Sequence, residues 1–339
     1  MKVGIYGAGG MGTVLGAYIS KAGYDIDLIN RNKEHIGALN LEGAKIIGKI
    51  NFTQKVKAIL PEDMKDKYDI ILLMTKQKYN KEIAESLIPY LKQNSLVCTM
   101  QNGLPEDSVA EIIGKDRTCG CAMSWGATFH GKGVSELTSE ANRETLTFSI
   151  GKYGNNDNEL FNYIVELLNS MGNVKIEDNF IGARWAKLMI NSAFSGISVV
   201  TDANFGTITK NKESSKIALK IIKECIEVSR AANIKIEPIQ GKDIVKYLDY
   251  NNKLKKWISL KILPIAMKKH KLIKSSMLRD LKSGNQTEID YINGVISKYG
   301  KLYNIKTPVN DKIIEIVKRI ENKELIPTWQ NIDYLKELI

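Results

Sequence analysis

Residues 2–12 read KVGIYGAGGMG, and this stretch decides the first half of the fold. Lys2 to Tyr6 is a short apolar run ending at a glycine, the pattern of a buried parallel strand. Gly7-Ala8-Gly9-Gly10-Met11-Gly12 follows, and a helical pattern then runs to about Ala22. The motif G-x-G-x-x-G is a weak signal by itself. A strand before it and a helix after it are the context that dinucleotide binding requires. Gly7 allows the tight turn, Gly9 lets backbone approach a pyrophosphate, and Gly12 lets the helix pack closely on the strand. The helix N-terminus offers N–H groups and the positive end of its dipole to phosphate.

Reading outward, the second strand is Asp25 to Asn30, DIDLIN. Enzymes that use NAD place an acidic residue at the end of this strand, on the ribose 2′-hydroxyl. Here the end reads Asn30-Arg31, and an arginine fork can pair with a 2′-phosphate, which points to NADP(H). Asp69 to Met74 and Ser95 to Met100 are further buried-type strands, ending at Thr75-Lys76 and Gln101-Asn102-Gly103. Ligands of open α/β sheets sit outside the carboxyl ends of the strands, where Lys76 and Asn102 fall. Asn102-Gly103 is also a common turn pair. Strand-like runs near Thr118–Ser124, Gly133–Thr138 and Thr145–Ile150, a helix from Asn156 to Met171 and a strand from Val174 to Glu177 complete this half. The expectation is a doubly wound parallel sheet over residues 1–177 and a helical domain over 178–339.

The second half centres on Phe180 to Asp202, FIGARWAKLMINSAFSGISVVTD, a helix of about six turns. Lys187, Asn191 and Ser195 recur at i, i+4 and i+8, and Ser198 and Asp202 fall in the same narrow arc. A single polar stripe on an apolar helix suits the lining of a cleft; the alternative is a helix edge with a snorkelling lysine. Helices are expected at Lys216–Ala232, Asn252–Lys268, Met277–Ser283, Thr287–Tyr303 and Asp311–Ile320. Pro238, Pro264 and Pro308 mark breaks or helix starts.

Composition bounds the rest. The chain has 339 residues, enough for two cores, with 43% hydrophobic and 26% charged residues, as in soluble globular proteins. No apolar run approaches the roughly 20 residues that span a bilayer, and since MKVGIYG reads as entering a strand at once, no signal peptide is expected. Cys98, Cys119, Cys121 and Cys225, with three histidines, suggest free thiols in a reducing cytoplasm and no metal site. The net charge is +11, densest from Lys242 to Lys282, which hold 12 Lys/Arg against 3 Asp/Glu. Lysine outnumbers arginine and no aromatic run accompanies it, so a solvated face is expected there, with neither nucleic acid nor membrane as partner.

One stretch is more specific than the glycine motif. Ser275-Ser276-Met277-Leu278-Arg279-Asp280, then Gly284, then TEIDYING at Thr287–Gly294, together with W-x-K-L-x-x-N at Trp185–Asn191, closely resembles ketopantoate reductase (2-dehydropantoate 2-reductase). The resemblance runs from Gly7 to about Lys318. It implies NADPH-dependent reduction of 2-dehydropantoate to pantoate, on the route to pantothenate and coenzyme A. It implies that Lys187 is the catalytic lysine, Glu288 the essential glutamate and Ser276 the serine on the substrate carboxylate. Asn102 would lie between nicotinamide and substrate, with Gly7 to Gly12, Arg31 and Lys76 on the cofactor side. Asn191 matches the first of two substrate-binding asparagines; Ser195 stands where the family has the second.

The chemistry agrees with those residue types. Hydride arriving at a ketone carbon leaves an alkoxide, which needs a proton and a nearby positive charge, and a lysine supplies both. A helix-surface glutamate is the plain alternative for Glu288, and a helix N-cap that for Ser276. The expected function is reduction of a small 2-oxo acid in the cleft between the two domains, by an enzyme that admits a homodimer. The rivals are an NADPH-dependent reductase of another 2-oxo acid and a non-catalytic NADP(H)-binding protein.

Overall fold

Successive residues of the first strands point to opposite faces of one sheet, and each face has its own core. The computed structural model of the chain, which describes residues 1–239 and 241–339, divides into two units, Met1–Phe180 and Ile181–Ile339. The first contains β1 (Val3–Tyr6), α1 (Gly10–Lys21), β2 (Ile26–Ile29), α2 (Lys33–Glu42), β3 (Ala44–Gly48), β4 (Phe52–Gln54), β5 (Lys57–Ile59), β6 (Tyr68–Leu73), α3 (Asn80–Leu87), β7 (Leu91–Thr99), α4 (Pro105–Ile113), β8 (Thr118–Met123), β9 (Ala127–Gly131), β10 (Val134–Leu137), β11 (Thr147–Lys152), α5 (Asn158–Asn169) and β12 (Asn173–Ile176). On one face Val3, Ile5, Ile70 and Leu72 pack with Leu15 of α1 and Ile164 of α5. On the other, Ile71, Leu73 and Val97 pack with Ile83 of α3 and Val109 of α4. Burial on both faces is what makes these strands read as continuous apolar runs.

The main sheet has eight strands in the order β12-β11-β8-β7-β6-β1-β2-β5. It is parallel from β5 to β8. At β11 it turns antiparallel to β8, because a strand pair and not a crossover helix joins them. Strand β1 lies between β2 and β6, so its carboxyl end faces the crevice where the strand order reverses. A second sheet, β4-β3-β10-β9, was not anticipated beyond the run Gly133–Thr138. Its other strands are only three to five residues long, too short for a period-2 pattern to stand out.

The second unit is built around α6 (Phe180–Thr201) and continues with α7 (Phe205–Lys210), α8 (Lys212–Ala231), α9 (Ile244–Leu248), α10 (Lys253–Ala266), α11 (Ser276–Lys282), α12 (Asn293–Leu302) and α13 (Pro308–Glu321). Trp185 is fully buried and meets Tyr299 edge-on at 5.3 Å. Gly196 is small because a Cβ there would overlap Ile313. Buried Glu224 caps the start of α13, accepting from the Val309 and Asn310 N–H groups at 3.0 and 3.1 Å and from Asn310 Nδ2 at 2.8 Å. Burial pushes its carboxyl above the ordinary range. Asn293 Nδ2 donates to Ser192 O and to Asn310 Oδ1, both at 3.0 Å, which ties α12 and α13 to α6.

Several helix boundaries differ from expectation; α13, for one, starts at Pro308 and not at Asp311. Asp202 lies past the end of α6, with φ 53°. The helix anticipated over Thr287–Tyr303 begins only at Asn293: residues Ile289–Tyr291 form a 3-10 turn and Ile292 leaves helical geometry with φ −118° and ψ −83°. Local bonds favour the tighter turn, since Thr287 Oγ1 accepts from Ile289 N–H at 3.2 Å. Helix α8 starts at Lys212 because Asn211 caps it. Among the described residues no helix is long and apolar enough to cross a membrane.

Candidate active site

The glycine loop is shaped for a phosphate. Gly7 has φ +101°, and a Cβ there would stand 2.7 Å from Thr75 N, so only glycine lets β1 end beside β6. A Cβ on Gly12 would stand 2.7 Å from Gly7 O. The N–H groups of Gly7 and Ala8 are taken by Ile29 O at 2.9 and 3.0 Å. Thr13 N–H closes the first helical bond, to Gly9 O at 2.8 Å. Gly10, Met11 and Gly12 therefore carry the donors at the helix start, where no side chain caps them and no acidic residue occupies the first turn. Open space surrounds the Cβ position of Gly9. These features fit a dinucleotide pyrophosphate.

A buried histidine fixes this loop. The ring of His35, on α2, is fully buried. Its Nδ1 accepts from Gly133 N–H at 2.9 Å, so Nε2 carries the proton and donates to Ala8 O at 2.9 Å. Thr13 Oγ1 donates to the same carbonyl at 3.1 Å. Burial holds the His35 pKa below its ordinary value, consistent with a neutral ring. The imidazole thus joins the glycine loop to the turn between β9 and β10. Sequence reading missed it, since its partners lie 27 and 98 residues away.

The ends of β2 and β6 bring cations together. Asn30 Oδ1 accepts from Asn32 N–H at 2.9 Å, and Asn32 Oδ1 accepts from His35 N–H at 3.0 Å. Between these two turns Arg31 projects into solvent, its guanidinium 5.1 Å from the centre of the Tyr79 ring. The Lys78 ammonium is 5.0 Å from the same ring. Hydrogen bonds from Arg31 and Lys78 hold the Tyr79 phenol below its ordinary pKa. Lys76 is exposed two residues before Lys78. Lys78 and Tyr79 were missed in the sequence, where the only signal is K-Q-K-Y directly after a buried strand.

Asn102 follows β7 and is half-buried. Its carbonyl accepts from Gln77 Nε2, while Gln101 Nε2 donates to Thr75 O at 2.8 Å and to Asn80 Oδ1 at 2.7 Å. These amides brace the loops after β6 and β7 against each other.

In the second unit, Lys187 and Asn191 are half-buried on α6 and Ser195 is buried. The lower part of the stripe serves the fold. Ser198 Oγ accepts from Ser275 N–H at 3.3 Å and donates to Ala203 O at 2.7 Å. Asp202 pairs with Lys274 at 2.9 Å and Lys282 at 2.8 Å, and these bonds, Lys282 first, lower its pKa. These contacts hold α11 against the end of α6. The cap of α11 is Ser275, whose Oγ accepts from Leu278 N–H at 3.0 Å, so Ser276 is not the cap. Glu288 is buried ahead of the 3-10 turn, not on a helix surface. Arg184, one turn before Lys187, is 1% exposed and was missed by the sequence reading, because its charge hides among apolar neighbours.

A doubly wound dinucleotide-binding sheet followed by a helical unit with a lysine-bearing spine defines a nicotinamide-dependent oxidoreductase of the two-domain class. Residues 3–150 match the family described as ketopantoate reductase PanE/ApbA, and residues 179–321 match its C-terminal part. The chain belongs to the ketopantoate reductase family. It is 30% identical over 326 residues to 2-dehydropantoate 2-reductase of Pyrococcus horikoshii, covering 95% of this chain and 98% of that one. It is 26% identical to the protein of the same name from Lactococcus lactis, covering 94% and 97%. Among solved structures, a D-mandelate dehydrogenase with NADH and anilino(oxo)acetate superposes with a TM-score of 0.80 at 23% identity, covering 95% of this chain and 99% of that one. A ketopantoate reductase of Ralstonia eutropha gives a TM-score of 0.79 at 23% identity, covering 96% and 99%.

Proposed function

We propose that this protein reduces 2-dehydropantoate to pantoate with NADPH. The observation that carries the reading is the arrangement around α6. One helix bears Lys187, Asn191 and Ser195, and hydrogen bonds to Ser198 Oγ and Ser192 O tie the segments of Ser276 and Glu288 to it. The relatives of the same name along nearly the whole chain support it.

A bound nicotinamide would supply hydride to the carbonyl carbon. In this reading Lys187 gives a proton to the carbonyl oxygen as negative charge develops there, and its ammonium stabilises that charge. Glu288 holds the lysine or the substrate hydroxyl. Ser276 Oγ donates to the substrate carboxylate, and Asn191 and Ser195 bind the hydroxyl end. Asn102 orients the reacting carbonyl. On the cofactor side, Gly10, Met11 and Gly12 would hold the pyrophosphate, while Arg31 with Lys76 and Lys78 would pair with the 2′-phosphate. The four buried thiols suit a reducing compartment such as the cytoplasm.

A second reading rests on Ser195. Serine is shorter than asparagine, which leaves room for a different 2-oxo acid. The test of the main reading is NADPH oxidation driven by 2-dehydropantoate, with Lys187→Ala as control. The variant should lose roughly 10²- to 10⁴-fold in kcat, the range for removal of a general acid, and keep its affinity for NADPH. Near-native turnover in a folded Lys187→Ala protein would remove the lysine from the reaction.

A further inference from the structure

Three segments of the first unit, distant in sequence, meet behind the glycine loop, and the ring of His35 stands between them. Its two nitrogens bond Ala8 O on one side and Gly133 N–H on the other, each at 2.9 Å. Phe129 of β9 meets the ring edge-on, with centroids 4.8 Å apart. Strand β9 itself runs against the start of α1, where a Cβ on Gly10 would stand 3.0 Å from Phe129 N. Gly133 O accepts from Lys45 N–H at 2.9 Å, which anchors the β9–β10 turn to β3 as well. The second sheet therefore backs the loop that carries the phosphate donors.

That backing acts on the Ala8 carbonyl. Glycines flank Ala8 on both sides, so the peptide groups around it have few steric restraints of their own. Ala8 O accepts from His35 Nε2 at 2.9 Å and from Thr13 Oγ1 at 3.1 Å, and these two donor atoms lie 3.1 Å from each other. Both lone pairs of the carbonyl are thus used inside the protein. Gly9 N–H turns back to Gly7 O at 2.7 Å. Without His35 the Ala8 carbonyl would be freer to rotate, and the N–H groups that follow it in the chain would move with it. An anion site whose donors are already fixed gives up less freedom on binding than one whose donors must be gathered.

We propose that His35 is a positioning residue for the cofactor pyrophosphate, holding the Ala8 carbonyl inward so that the Gly10, Met11 and Gly12 N–H groups stay aimed at the phosphates. Its ring is fully buried, so it acts through the loop and not by contact with the cofactor. The 2′-phosphate end is independent of the ring. The turn after Arg31 is shaped by the backbone N–H of His35, which donates to Asn32 Oδ1 at 3.0 Å and survives a change of side chain. The inference rests on the proposed function in taking the glycine loop as the pyrophosphate site.

The test compares two ligands by fluorescence titration of the full chain. His35→Leu removes both ring bonds and should raise the Kd for NADPH by at least roughly tenfold. Adenosine 2′-monophosphate has no pyrophosphate, and its Kd should stay within about twofold of native. His35→Gln offers a donor and an acceptor from one planar group, and should bring the NADPH Kd back to within about threefold of native. Thr13→Val keeps the ring and the bond to Gly133 but removes the other donor to Ala8 O. It carries the test if His35→Leu does not fold, and should raise the NADPH Kd by about threefold with adenosine 2′-monophosphate unaffected. An unchanged NADPH Kd in folded His35→Leu, or in Thr13→Val, would overturn the inference. So would an equal loss of both ligands, or a His35→Gln chain that binds NADPH as weakly as His35→Leu. A native chain that binds no NADPH would overturn the proposed function and this inference together.

Discussion

Two residues separate what a sequence reveals from what folding reveals. The expectation for Arg31 rests on local signals, because the strand end that would carry an acidic residue carries a cation. Its replacement by alanine should reduce the preference for NADPH over NADH by about tenfold, or about 1.4 kcal/mol, read from the two dissociation constants; an unchanged ratio would assign the preference elsewhere. His35 was not legible, since its role depends on Ala8 and Gly133 meeting its ring. Its lowered pKa has a definite sign. The neutral ring stabilises the folded chain fully above the unfolded value near 6.5. As pH falls below that value the unfolded chain binds a proton first, so stability is lost with acidification. His35→Gln keeps a donor and an acceptor but does not titrate. Its unfolding midpoint should fall less than that of the native chain between pH 7 and pH 5, and parallel curves would exclude His35 as the group responsible.

At the scale of elements, long apolar strands and the spine helix α6 were readable because their periodicity runs over enough residues to be unambiguous. The short strands of the second sheet were not, and neither was the break at Ile292, where tertiary bonds from Asn293 outweigh local helix preference. The stripe on α6 proved to be divided. Its upper part holds the residues assigned to chemistry, and its lower part, Ser198 and Asp202, docks α11. Elsewhere on α6, Gly196 packs closely against Ile313 of α13. Gly196→Ala should therefore destabilise the chain by about 1–3 kcal/mol from overpacking against Ile313, partly offset by the roughly 1 kcal/mol better helix propensity of alanine. Urea unfolding would measure it, and Ile313→Val should recover part of the loss. A stabilised Gly196→Ala protein would mean that the helices do not pack as described.

At the scale of the molecule, the family assignment rests on both parts of the chain. Substrate identity is the finer question, because Ser195 stands at a position where the resemblance implies asparagine. If a buried substrate hydroxyl has a weaker partner there, the loss is about 1–3 kcal/mol, and Ser195→Asn should lower KM for 2-dehydropantoate while leaving kcat within a few-fold. The most direct test of the central claim is kcat/KM for NADPH oxidation across a panel of 2-oxo acids with the native protein. 2-Dehydropantoate should give the highest value in the panel. A higher value for another 2-oxo acid, together with weaker use of 2-dehydropantoate by Ser195→Asn, would contradict it.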